Sequence, residues 1–242
     1  SCRCNMGACQ FLQIRKIYPP GGTGPRGIDR NKPMTTFNKN FSDDEYRRRI
    51  AKTRTAMDAA GLEAIVVCDP SNMSWLTGYD GWSFYVYQGV VLTQSGDPVW
   101  WGRAMDAVGA GRTVFMDGAD HIRGYDDTYV QNPEKHPMSD LAGLLTELGL
   151  SKARIGVELD NYYYSAKAHM TLSDELPEAR FADATGLVNW QRAVKSQTEI
   201  EYMRRAARIV ERMHEVIREK AEVGMRKNDL IADIYHALSL IH

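Results

Sequence analysis

The sequence predicts an α/β fold, a central mixed sheet flanked by helices, with two long amphipathic helices after it. Three observations carry this. Short apolar, β-branched runs recur between Ser42 and Asp183, each bounded by Gly, Pro, Asp or Ser. Between them lie segments with three- and four-residue apolar spacing and helix-start signals. Beyond Ser196 the helical period continues to the last residues. Strands that alternate with helices are the pattern of an α/β layer arrangement.

Ser42 and Glu45 have capping-box spacing, in which the Ser side chain accepts from a backbone amide and the Glu reaches back. Tyr46, Ile50, Met57 and Ala60 then mark a helix face that Gly61 ends. Ala64 to Cys68 is a continuously apolar strand, stopped by Asp69-Pro70. Ser83 to Leu92 is aromatic and β-branched and predicts a strand, which Ser95-Gly96-Asp97-Pro98 turns towards Val99-Trp100-Trp101. Further strands are predicted at His121–Tyr125, Arg154–Glu158 and Arg180–Asp183. Helices are predicted near Met105–Gly111, Pro137–Leu148 and Ser165–Leu176, with Pro137 suited to a first helical position.

Ser196 and Glu199 repeat the capping-box spacing ahead of a helix from Gln197 to Val223. Ile200, Met203, Ala207, Val210, His214, Ile217 and Ala221 share one face of it, and Gly224 supplies a C-cap. Asn228 is expected to cap a second helix with Leu230, Ile231, Ile234 and Leu238 on its apolar side. A coiled coil is the rival reading of the pair, but it needs a seam sustained over more heptads. The stripes are therefore expected to cover a sheet beyond His242.

Residues 1–35 differ from the rest. Pro19-Pro20-Gly21-Gly22-Thr23-Gly24-Pro25 cannot hold regular structure, and Met34 reads like a natural start. A disordered and dispensable leader is expected there, an α/β domain over 36–192, and the opening of a second domain over 193–242. With 30 basic against 31 acidic residues, nothing favours nucleic acid or an anionic membrane as partner. No apolar run approaches the ~18 residues of a membrane span, and no signal-peptide layout opens the chain, so a cytoplasmic location is expected.

Isolated catalytic signals are weak. Cys2, Cys4 and Cys9 lack the paired spacing of a zinc site, and Cys68 reads as a buried thiol. His214 and His236 sit on predicted helices outside any His-Glu-x-x-His pattern. Ser71, Ser83 and Ser165 lack a nucleophile elbow, and the pairs Asp43-Asp44 and Asp126-Asp127 read as solvated turn or helix-start residues. Gly21-Gly22-Thr23-Gly24 neither follows a strand nor opens a helix, which excludes a phosphate loop.

The run Asn189 to Arg208, with Arg192, Lys195, Ser196, Glu199, Ile200, Met203 and Ala206 in register, resembles the domain junction of the creatinase, proline-aminopeptidase and prolidase family. Asn72 to Gly78 follows that family's Asn-x-x-Tyr-Leu-Thr-Gly pattern with Trp75 in place of Tyr. The longer runs Asp69–Phe84, Trp101–Ala107, His136–Met138, Ile155–Asp160 and Val188–Ser196 resemble the ectoine-hydrolase branch. The resemblance implies a creatinase-type N-terminal domain followed by the first two helices of a truncated pita-bread domain. It implies hydrolysis of a carbon–nitrogen bond in a small zwitterion, by ring opening to an N-acetylated diaminobutyrate. An Xaa-Pro aminopeptidase or prolidase is the alternative. A non-catalytic binding or dimerisation module is a third reading. Creatinase carries an arginine two residues past its Ser-Phe pair; here Ser83-Phe84 is followed by Tyr85 and Val86, which disfavours creatine.

The resemblance also implies that the catalytic groups lie beyond His242, so no catalytic residue or metal ligand is assigned and this chain alone is expected to be inactive. The parent works either without metal, as creatinase does, or with a divalent metal pair, as the peptidases do. In that family the N-terminal domain closes the active site of a homodimer partner. That gives the aromatic stretch Trp75, Tyr79, Trp82, Phe84, Tyr85 and Tyr87 a role, since aromatic faces hold delocalised cations at about 0.5–2 kcal/mol each. Trp82, Tyr85 and Arg103 are the expected substrate-binding residues, Arg103 through paired hydrogen bonds to a carboxylate. Core packing and a surface salt bridge are the competing roles for them.

Overall fold

A computed structural model describes residues 39–239. The expected leader, with Cys2, Cys4, Cys9 and the glycine run, lies outside the described residues. Helix α1 (Asp43–Ala59) begins at Ser42, whose hydroxyl accepts from the Glu45 amide at 3.3 Å. The expected reciprocal bond from Glu45 is not made, because Arg48 and Arg49 engage its carboxylate. Strand β1 (Ala64–Val67) leads into α2 (Pro70–Thr77), capped by Asp69, which accepts from the Asn72 amide at 2.9 Å.

Gly78 ends α2 in the left-handed region at φ +85°. A Cβ there would lie 2.7 Å from the Tyr46 hydroxyl and 2.9 Å from the Thr113 carbonyl oxygen, so the turn requires glycine on two counts. Strands β2 (Gly89–Thr93) and β3 (Val99–Arg103) form a hairpin, and α3 (Ala104–Thr113) follows. A short turn of 3-10 helix (Ala119–His121) feeds β4 (Ile122–Tyr125), and a second one covers Asp127–Tyr129. Then come α4 (Pro137–Glu147), β5 (Arg154–Val157), α5 (Ala166–Glu175), β6 (Arg180–Asp183) and the short α6 (Leu187–Ala193). Helices α7 (Gln197–Lys220) and α8 (Lys227–Ser239) complete the described chain.

The sheet is mixed, as expected, with strand order β4-β3-β2-β1-β5-β6. β1 pairs antiparallel with β2, Val66 opposite Val91, and parallel with β5, Val66 opposite Val157. Its central place explains its unbroken apolar run, since a strand covered on both faces has no polar side. Ala64, Val66 and Cys68 belong to one core layer with Met138, Leu141 and Leu145 of α4 and Leu172 of α5. Ile65 and Val67 belong to the other, with Ile50 and Met57 of α1 and Met73 and Leu76 of α2.

Several expectations are corrected. Ser83 to Gln88 is not strand; a turn closes from the Val86 amide to the Ser83 carbonyl, and pairing starts at Gly89. Helices α2 and α6 were not expected, although Asp69-Pro70 and Gly78 are start and stop signals for the first. α7 ends at Lys220 rather than Val223, with Ala221 extended at its C-cap and Gly224 at φ +89° in the following turn. Asn228 lies inside α8 rather than capping it. On α7 the apolar face expected to await a sheet beyond His242 is open at Met203, Val210 and Ile217, whereas Val216, from a neighbouring stripe, is buried. The helix is apolar over a wider arc than one stripe. Among the described residues, no helix is long and apolar enough to cross a membrane.

Candidate functional site

Two clefts share the turn Ser83–Val86 as their common wall. The first, of about 530 Å³, is lined by Trp75, Trp82, Phe84, Tyr163, Arg192 and Tyr202 among others. The second, of about 340 Å³, takes Tyr85 and Val86 from the other side of the turn and adds Arg103, Tyr129, Lys135 and His136. The turn is held down by Ser83, whose hydroxyl donates to Asp106 Oδ1 at 2.6 Å at the start of α3. Phe84 packs edge-on between Trp82, with ring centroids 4.9 Å apart, and Tyr163 at 5.7 Å. Trp82 and Tyr85 remain 81% and 72% exposed, an arrangement that presents rings outward from a fixed turn.

The structure therefore separates the expected site residues. Trp82 lines the first cleft; Tyr85 and Arg103 line the second. Arg103 is already paired: its Nε and Nη2 donate to both oxygens of Asp127 at 2.6 and 2.9 Å. Those bonds raise the Arg103 pKa further and hold the Asp127 carboxyl below its usual range. In this structure the two-point fork of Arg103 is engaged by Asp127, a side chain of the following turn, which is the surface salt bridge named as its competing role. Tyr79 and Tyr87 of the stretch are held by hydrogen bonds. Tyr79 is buried and donates to Gln88 Oε1 at 2.8 Å, and burial pushes its pKa up to about 12. The Tyr87 hydroxyl meets Ser165 Oγ at 2.7 Å.

Sequence reasoning missed the far wall of the second cleft. Lys135 Nζ stands 5.8 Å from the centre of the Tyr129 ring and has no carboxylate partner among the described residues. His136 Nδ1 accepts from the Met138 amide at 3.2 Å, which leaves the proton of the neutral ring on Nε2. Burial, then the charge of Lys167, lowers its pKa, so the neutral form prevails near pH 7. The signal was weak because these residues come from a loop with no period of its own; only His136-Pro137 as a helix start was visible.

Two buried networks join this unit to the helices after it. Arg49, 3% exposed, donates to Glu45 at 3.1 Å, to the Trp75 carbonyl at 3.0 Å and to Glu199 Oε1 at 3.0 Å. Its guanidinium also lies 4.0 Å from the Phe41 ring centre. Glu199 further accepts from Trp75 Nε1 at 2.9 Å while closing the full capping box with Ser196. At the carboxyl ends of β1 and β5, buried Glu158 accepts from the Cys68 and Asp69 amides at 2.7 and 2.8 Å and from Asn72 Nδ2 at 2.6 Å. Asn72 in turn binds Asn189 and Arg192 of α6.

Among the described residues no three His, Cys, Asp or Glu side chains converge to hold a metal ion. Cys68 is a buried thiol whose pKa is raised by burial and by the charge of Glu158. What the described residues offer is recognition: exposed aromatic faces and, in the second cleft, the Lys135 ammonium without a carboxylate partner.

The model of the Creatinase/Prolidase N-terminal domain matches residues 49–194. The chain is 55% identical over 196 residues to ectoine hydrolase of Halomonas elongata, covering 81% of this chain and 49% of that protein. It is 40% identical over 198 residues to an uncharacterized hydrolase/peptidase of Sinorhizobium fredii, covering 81% and 50%. A solved Xaa-Pro dipeptidase from Bacillus anthracis has the same fold, with a TM-score of 0.62 over 81% of this chain and 49% of that one at 16% identity. The chain spans about half the length of the curated relatives it matches.

Proposed function

The chain belongs to the creatinase/prolidase N-terminal domain family, and on that premise we propose that it serves as the N-terminal part of a hydrolase that opens the ring of ectoine. The reaction adds water across the amidine carbon and breaks one carbon–nitrogen bond, giving N-acetyl-diaminobutyrate. The observation that carries this reading is the 55% identity to ectoine hydrolase over most of the chain. In it Trp82 and Tyr85 present rings to the substrate's delocalised cation, and Arg103 with its partner Asp127 shapes the wall beside Tyr85. This part supplies recognition and leaves bond breaking to groups outside it. The assembled enzyme works as a cytoplasmic homodimer, in which these exposed side chains meet the partner's active site.

The test is a chimera in which residues 39–239 replace the matching half of the Halomonas elongata enzyme. Its kcat/KM is measured for ectoine and for an Xaa-Pro dipeptide. Preference for ectoine is expected. Preference for the dipeptide would favour a peptidase, and a folded chimera inactive on both would leave this half as a non-catalytic module.

A further inference from the structure

The second cleft holds a charge that the reading above leaves unused. Its two cations differ in availability. Arg103 has spent its two-point fork on Asp127, whereas Lys135 has no carboxylate partner among the described residues. The Lys135 ammonium stands 5.8 Å from the centre of the Tyr129 ring, in a cleft that Tyr85 also lines. We propose that this cleft is the seat of the substrate's carboxylate, with Lys135 as the cation that meets it and Tyr85 and Tyr129 facing the delocalised cationic ring. The inference rests on the reading of the substrate as a small zwitterion, and it moves the carboxylate from Arg103 to Lys135.

The loop that carries Lys135 is fixed in advance. Asn132 Oδ1 accepts from the Glu134 and Lys135 amides at 2.8 and 3.2 Å, and its Nδ2 donates to the Thr128 carbonyl at 2.8 Å. Gln131, beside it, is the one described non-glycine residue with positive φ, at +52°. Such a conformation is strained for a residue with a side chain and persists where the surroundings over-determine it, as they do at ligand clamps. A backbone pinned this firmly under a free ammonium suits an anion that arrives from outside, since less ordering is left to the moment of binding. Neutral His136 places a donor, Nε2–H, rather than a second charge on the same wall. At about 340 Å³ the cleft lies at the small end of ligand pockets, which suits a single ring with one carboxylate.

The chain itself serves for the test. Ectoine is titrated into the 242-residue protein by NMR, with acetate and acetamidinium as single-charge probes. Saturable shifts at Tyr85, Tyr129 and Lys135 are expected with ectoine, and weaker ones with either probe. Lys135→Met should weaken ectoine binding at least tenfold, and Lys135→Arg should restore most of it. Unchanged binding in Lys135→Met, no binding at all, or shifts confined to the Trp82 cleft would overturn the inference. In the chimera, Lys135→Met should raise KM for ectoine at least tenfold with kcat nearly unchanged. A chimera that hydrolyses ectoine with a KM indifferent to Lys135→Met defeats this inference and leaves the proposed function standing. One that ignores ectoine while the chain still binds it through Lys135 does the reverse.

Discussion

Asn72 Nδ2 lies 2.6 Å from Glu158 Oε1, and the other end of the same amide, Oδ1, accepts from Arg192 at 2.7 Å. One fully buried side chain of α2 thus ties the end of β5 to Arg192 of α6, which lies 120 residues after Asn72. Truncating it leaves buried Glu158 and the other partners short of a hydrogen bond, each unsatisfied buried group costing about 1–3 kcal/mol. Asn72→Ala should lower the urea unfolding free energy by about 2–4 kcal/mol. A loss below about 0.5 kcal/mol would show that the network is ornamental.

Arg49→Met should be at least as damaging. It removes the buried cation that Glu45 and Glu199 share, and breaking one side of a buried pair typically costs about 3–5 kcal/mol. The local signature is more telling than the global one. Amide exchange over the first turns of α7, from Gln197, should quicken well before the sheet's does. Equal protection in both would mean that α7 is held by other contacts.

Glu158 should titrate above the ordinary glutamate value of ~4.3, because burial outweighs the N–H groups that favour its charged form. The folded protein then holds this proton more tightly than the unfolded chain. Its contribution to stability is complete below the ordinary value and declines as pH rises through the raised one. Carbon NMR of labelled glutamate reads this directly. A midpoint at or below the ordinary value would refute it.

Three glycines separate conformation from space. Gly78→Ala meets both a positive φ and two close oxygens, so a loss of about 3 kcal/mol or more is expected. Gly96→Ala has positive φ but open surroundings and should cost about 1 kcal/mol. Gly109, inside α3 with nothing near its missing Cβ, should stabilise by about 0.5–1 kcal/mol when changed to Ala. Any other order among the three in thermal melts would contradict this ranking.

The open stripe on α7 and α8, with Met203, Val210, Ile217 and Tyr235 exposed, should bind a hydrophobic dye and promote self-association. A chain shortened to residues 36–192 should do neither and still unfold cooperatively. Light scattering on the two chains decides it; a monodisperse, dye-silent 242-residue chain would contradict the expectation.

Strands and long helices were legible where local chemistry and burial agree, as at Ala64–Val67 and at the Ser196–Glu199 box. Helix α2 was written in Asp69, Pro70 and Gly78, yet the same residues also read as a strand's end, and eight residues are too few for a period to decide. Ser83 to Gln88 has strand composition but finds no neighbour to pair with, because its rings serve the turn and the clefts. The site was half legible for a related reason. Trp82 and Tyr85 stand out by residue type, whereas the Arg103–Asp127 pairing and the freedom of Lys135 arise only when β3 and the loop after β4 are brought together.

The tie between Arg49 and Glu199 carries an evolutionary consequence. Two positions 150 residues apart share one buried charge balance, so neither is free to drift alone. A lineage that loses the arginine should lose or neutralise the glutamate with it, and an apolar pair should replace them together rather than one at a time. Across aligned relatives the two columns should therefore covary, with Trp75, whose indole donates to the same carboxylate, following as the third member.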